Sequence, residues 1–366
     1  MLILLLAGVL LAWLIQHMIY KKRWNKGLDV NLSFMDSYAY EEDISYLKQE
    51  ITNDKRLPIP ALEVRFATSR NLEMQGEARE NTSVSDLSYQ REVFALWGKQ
   101  KAIRKIPFVC RKRGVYEIKK SEIVGYNLLY SSAYYMECEQ DTKIYVYPKR
   151  IDVKRINLIC QAISGAVLAK RRMYPDPFEF SGIREYQRTD PMNFINWKAS
   201  AKTGSLMVNQ QDSTTNMQVT LVLDVEDANI LKYEELVEES IRITASLATV
   251  LIHQGMEFDI VSNGMDIVHM KTGAGLVQEL NQKLACMDVQ NVSEEVGITV
   301  EKYELRKNTD RIFVLISKNY TEKNREAAEL LVSTGNQVLW VLPVHPYMRL
   351  ETKACPGMQI LQWEVG

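Results

Sequence analysis

The sequence predicts a three-part chain: a transmembrane helix at the N-terminal end, a β-sandwich, and a doubly wound α/β domain. Three observations carry that reading. Leu2–Tyr20 contains no charged residue. Residues 28–150 fall into short alternating runs separated by turn formers. From residue 211 onward, strand-type runs alternate with helix-type runs, the signature of a parallel sheet covered on both faces.

The first segment, residues 1–27, reads as an anchor. Nineteen uncharged residues at 1.5 Å each rise about 28 Å, close to the hydrocarbon thickness. Trp13 and Tyr20 suit an interface. A cleaved signal peptide would want a positive start and a small-residue cleavage site, and neither is present. Lys21, Lys22, Arg23 and Lys26 follow the run, so the positive-inside rule predicts a single-pass cell-membrane protein with its bulk in the cytoplasm.

Residues 28–150 carry seven strand candidates: Leu28–Phe34, Ile44–Thr52, Ala61–Phe66, Tyr89–Leu96, Ala102–Cys110, Val115–Ser121 and Ile144–Tyr147. Asn53-Asp54, Pro58-Ile59-Pro60, Trp97-Gly98 and Arg113-Gly114 separate several of them, and 71–88 reads as a long loop. Seven short strands in this length suggest a sandwich of immunoglobulin-like type. Residues 151–181 form a helical connector: Ile156, Ile159, Cys160, Ile163 and Val167 recur at three- and four-residue spacing until Pro175 and Pro177 stop them.

In the last segment, 211–366, Met217–Leu223 is a buried-strand run ending at Asp224, followed by a long amphipathic helix that Gly255 stops. Phe258–Ser262 and Met265–Met270 flank Asn263-Gly264, a strong hairpin signal. An early hairpin in such a sheet is the pattern of a von Willebrand A-like domain. Those domains hold a divalent cation at the carboxyl edge with an Asp-x-Ser-x-Ser loop. Here Asp224 keeps the first position, but Glu226 and Ala228 stand at the two serine positions and Lys318 stands where a later aspartate is expected. The reading is a degenerate site with no metal and no cofactor.

Residues 182–210 are the densest cluster of unusual side chains: Arg184, Glu185, Tyr186, Asp190, Asn196, Trp197 and Lys198. They form either a braced network between domains or a partner-binding surface. The blocks Gly-x-Arg-Glu-Tyr and Ile-Asn-Trp-Lys-Ala-Ser-Ala resemble the signature of the domain-of-unknown-function family 58. The arginine of that family's middle block is Asn193 here, and Gly125-Tyr126-Asn127-Leu128-Leu129 stand where relatives often have Asp-x-Phe-Gly-Leu. The resemblance implies a membrane-anchored bacterial protein with a von Willebrand A-like domain that works with a MoxR-type AAA ATPase.

Composition narrows the function. Among 366 residues, 46% are hydrophobic and 25% charged, and a net charge of −1 gives no field to draw in nucleic acid. Five scattered cysteines and four scattered histidines show no metal spacing. Phosphate-loop, dinucleotide and nucleophile-elbow motifs are missing. The expectation is a non-enzymatic adaptor or scaffold in complex assembly or envelope stress. The alternatives are a Mg²⁺- or Ca²⁺-dependent adhesion or sensing domain and, more weakly, an envelope hydrolase. Partner identity and oligomeric state are not legible.

Overall fold

The computed structural model describes residues 2–75, 82–84, 86–173, 180–187, 192, 195–211, 218–227, 232–270, 275–289, 292, 295–348 and 350–365. It divides into two compact units: 1–150 with 279–287, and 151–278 with 288–366.

The first unit opens with helix α1 (Leu2–Arg23) and continues through ten strands: β1 (Leu28–Phe34), β2 (Tyr38–Tyr40), β3 (Ile44–Asn53), β4 (Ile59–Ser69), β5 (Leu72–Met74), β6 (Thr82–Val84), β7 (Leu87–Leu96), β8 (Gln100–Cys110), β9 (Gly114–Tyr126) and β10 (Ala133–Tyr147). They build two sheets, ordered β1-β3-β8-β5 and β2-β10-β9-β4-β7-β6. β3 shows why: Leu47, Gln49 and Ile51 are buried while Lys48 and Glu50 between them are more exposed, the period of two that a half-buried strand requires. Two short strands, β5 and β6, lie inside the stretch expected to be a loop. Buried Gln140, at a bulge in β10, donates to the Val30 carbonyl and accepts from the Leu32 amide, tying β1 to the other sheet.

The expected transmembrane helix is corrected. The run Leu2–Tyr20 does fold as α1, but no described helix is long and apolar enough to cross a membrane. The reason lies in packing. Tyr20 and Trp24 are 2% and 6% exposed and belong to the sandwich core, and the Tyr20 hydroxyl donates to the Pro58 carbonyl at 2.7 Å. Trp13 stacks on His17 and donates to Ser131 Oγ at 3.3 Å. One side of the helix from Trp13 onward is therefore fastened to the sandwich, while Leu14, Ile15, Met18 and Ile19 stay exposed. What precedes it, Leu2–Ala12, rises about 16 Å, roughly half the hydrocarbon core.

The second unit begins with α2 (Val153–Met173), then β11 (Phe180–Glu185), α3 (Trp197–Thr203) and β12 (Met207–Gln211). The main sheet and its helices follow: β13 (Val219–Leu223), α4 (Glu234–His253), β14 (Phe258–Ser262), β15 (Val268–Met270), α6 (Val296–Lys302), β16 (Ile312–Ile316), α7 (Glu322–Ser333), β17 (Gln337–Val344) and β18 (Met358–Glu364), while α5 (Leu276–Cys286), between β15 and α6 in sequence, falls mostly in the first unit. Its order is β15-β14-β13-β16-β17-β18, or 3-2-1-4-5-6, with β15 antiparallel and every other pairing parallel. Every residue of β13 and β16 is buried, as central parallel strands covered on both faces must be. The helix read as a connector buries Ile156, Ile159 and Ile163 and packs on α4 and β17 of this unit.

Candidate partner-binding site

The signature residues assemble around β12. Arg184 and Glu185 sit on β11, opposite Val208 and Met207. Val208 also bridges to Ile195, so the two signature blocks meet across one residue. Tyr186 follows β11 and its amide donates to the Leu206 carbonyl at 2.8 Å. Asp190 lies outside the described residues, as does Asn193.

Asn196 begins α3. Its side chain accepts from the Ala199 amide at 2.9 Å, the N-cap bond that helix starts need. Gly204 ends the helix at φ +75°, the left-handed cap conformation that glycine adopts without penalty. Ser200 clamps the element to its neighbour: its Oγ donates to the Asn196 carbonyl and accepts from the Met207 amide, each at 2.8 Å. None of the seven helical residues is buried. So short a helix is not stable by propensity. Polar bonds, not a hydrophobic face, hold this one in place.

The aromatic that would ordinarily dock such a helix points to water. Trp197 is 68% exposed. Met192 is 74% exposed, and Ile183 and Leu206 are also exposed. Sequence reasoning missed those three apolar residues, because isolated apolar positions outside a periodic run carry no signal. Arg184 donates from Nη1 to the Glu185 carbonyl at 3.1 Å.

The second candidate, at the carboxyl edge of the main sheet, is closed by protein donors. Asp224 is 1% exposed. Its Oδ1 accepts from Asn263 Nδ2 at 2.7 Å and the Glu226 amide at 3.1 Å. Its Oδ2 accepts from Ser317 Oγ at 2.6 Å and Asn319 Nδ2 at 3.0 Å. Burial pushes the Asp224 carboxyl above its ordinary range despite these bonds. Glu226 is raised as well, first by burial and then by the Asp224 and Glu295 charges. The Lys318 ammonium pairs with Asp227 and lies 5.8 Å from the Tyr233 ring centroid. A divalent ion would have to displace donors already seated on Asp224 and lie near a fixed positive charge. Ala228 lies outside the described residues. Among the described residues, no group of three His, Cys, Asp or Glu side chains is placed to hold a metal.

The described residues thus form a two-sheet sandwich and a doubly wound α/β unit, with a polar-clamped helix that leaves Trp197 exposed. Residues 182–346 match the family model described as protein of unknown function DUF58. No curated protein matches the chain. Among solved structures, it is similar to the CARDB domain of PF1109 from Pyrococcus furiosus (10% identity, 33% of this chain and 94% of that one, TM-score 0.21). It is also similar to a non-cellulosomal cohesin from Archaeoglobus fulgidus (9% identity, 32% and 91%, TM-score 0.22). A third similarity is to the sporulation control protein Spo0M from Bacillus subtilis (9% identity, 44% and 58%, TM-score 0.20). Scores this low carry no argument about this chain.

Proposed function

We propose that this protein is a non-enzymatic adaptor whose second unit, von Willebrand A-like in type, captures a partner protein through α3. The 3-2-1-4-5-6 strand order with one antiparallel edge strand supports that unit type. One observation carries the capture reading: a seven-residue helix with no buried residue is capped at both ends and clamped to β12, while Trp197 stands in water. A rigid, exposed aromatic loses little freedom on binding, and tryptophan is the commonest hot-spot residue. The family resemblance supplies the partner, a MoxR-type AAA ATPase, and the setting, complex assembly or envelope stress.

The test is binding of the full-length chain to that ATPase, comparing the wild type with Trp197→Ala. The expected result is at least a tenfold weaker complex, about 1.4 kcal/mol or more, at an unchanged melting temperature. Unchanged capture would remove the reading. A large fall in melting temperature would make Trp197 a structural residue instead.

A further inference from the structure

We propose that the outer face of the six-stranded sandwich sheet pairs with the same face of a second copy of this chain, making a weak dimer with two-fold symmetry. Side chains alternate between the two faces along each strand. Leu62, Val64, Phe94 and Ile123 enter the core, so Glu63, Arg65, Val93 and Glu122 stand on the outer face. Strand pairing lays the outward residues in rows across β10, β9, β4 and β7. One row runs Tyr135, Val124, Glu63, Val93; the next runs Glu137, Glu122, Arg65, Arg91. Both ends of the first row are open to water, Tyr135 at 73% and Val93 at 50%. In the second row, carboxylates fill the β10–β9 half and guanidiniums fill the β4–β7 half.

Neither half is neutralised within the chain. Arg65 and Arg91 share the Glu63 carboxylate, which leaves the β4–β7 half with a positive excess. Glu137 reaches Lys120 at 3.4 Å, but Glu122 makes no ion pair among the described residues, so the other half stays negative. A two-fold axis running along the strands between β9 and β4 turns this asymmetry into a fit. It sets β10 over the second copy's β7, and β9 over the second copy's β4. Glu137 then faces the second copy's Arg91, Glu122 faces its Arg65, and Tyr135 meets its Val93. Each contact occurs twice, as an isologous interface requires. A uniformly acidic or basic partner would be repelled by one half of the face, whereas a copy of the chain matches both. Four strands about 4.8 Å apart and about five residues long cover roughly 300 Å², well under the roughly 800 Å² per partner of a standard interface. The dimer is therefore weak, and salt screens it.

The experiment is sedimentation equilibrium of the full-length chain over a concentration series, in about 0.05 M and about 0.5 M salt. The expected result is a monomer–dimer equilibrium at low salt that weakens roughly tenfold or more at high salt. Glu122→Arg and Arg65→Glu should each weaken it by roughly tenfold or more at low salt, since each sets like charges face to face twice. Mixing these two variants should restore association, because each supplies the charge that the other has lost. Arg65 also bonds Glu63, so melting is measured alongside. Tyr135→Ala removes a side chain already open to water, so its expected loss of dimer cannot come from misfolding. A wild type that stays monomeric throughout would overturn the proposal, whatever other protein the face then binds. So would association that survives both Glu122→Arg and Tyr135→Ala, the outcome expected if copies join through the apolar residues of α1 instead. Folded Glu122→Arg and Arg65→Glu chains that stay apart when mixed would overturn the two-fold arrangement.

Discussion

Glu63 on β4 is held by more donors than any exposed carboxylate could gather. Its Oε1 accepts from Arg91 Nη2 at 2.6 Å and the Tyr126 hydroxyl at 2.9 Å. Its Oε2 accepts from Arg65 Nη2 at 2.6 Å and from Arg91 Nε at 3.1 Å. Burial alone would raise its pKa, but the bonds from Arg91, Arg65 and Tyr126 together outweigh that and hold the carboxyl down at about 2. A carboxylate lowered from 4.5 stabilises the fold above pH 4.5, and that contribution is lost as pH falls toward 2. The full shift corresponds to about 3 kcal/mol. Because the Arg65 and Arg91 side chains are 40% and 44% exposed, solvent screening brings the expectation down to about 1–2 kcal/mol. Glu63→Gln should therefore lower stability by about that much in urea unfolding at pH 7, with the difference shrinking between pH 4.5 and pH 2. A difference that stays constant across that range would show that the carboxylate charge is not what stabilises the strand. Within Ala61–Phe66, sequence alternation marks Glu63 only as a polar position. Its partner Arg91 lies 28 residues away, and only strand register brings the two together.

At the scale of elements, what a side chain does locally was not always legible. The sequence marked Asn196 only as a signature residue; the structure shows it and Gly204 capping α3, each acting within a turn of its own position. The Asn263-Gly264 pair shows the opposite case. A two-residue hairpin was expected there, but β14 and β15 pair Phe258 with Met270 and Ile260 with Val268, leaving a longer connection. Asn263 is diverted: it donates to Asp224 and accepts from the Val225 amide at 2.9 Å. A distant buried carboxylate thus overrides a strong local turn signal. The α3 reading also makes its own prediction. Replacing an N-cap asparagine by alanine costs about 1 kcal/mol, a large share of what holds a seven-residue helix without a buried face. Asn196→Ala should leave the main melting transition in place, raise amide hydrogen exchange across 197–203, and weaken partner capture although Trp197 is intact. Slow exchange in the variant would mean that β12 alone orders the helix.

Over the whole molecule, the change from a period of two to a helical period marks where the second half of the chain begins, so the two architectures were legible. Hydropathy counted the residues of Leu2–Tyr20 but could not say that Tyr20 and Trp24 would join the sandwich core, since burial partners far along the chain leave no local pattern. For the same reason, helical spacing in 275–286 does not reveal which core the segment joins. Residues 279–287 cluster with the first unit, about 130 residues after its last strand. Arg113, only 6% exposed, is a fastening point: its Nη1 donates to the Leu284 carbonyl at 2.7 Å and the Met287 carbonyl at 3.0 Å. Its own amide donates to Glu41 Oε1, and the other Glu41 oxygen accepts from the Lys149 amide, so both ends of the sandwich sequence converge here. Hydrogen bonds from a charged group to neutral acceptors are worth about 1.5–3 kcal/mol, and losing the guanidinium also removes packing. Arg113→Ala should lower the melting of the first unit by about 4–8 °C and speed hydrogen exchange at 284–287. Arg113→Lys should recover little, because the lysine ammonium sits one bond nearer the backbone than Nη1 and falls short of the two carbonyls. If both variants melt and exchange like the wild type, the segment is held by its apolar contacts, Leu280 and Leu284 first among them, and the arginine only fills the space beside it.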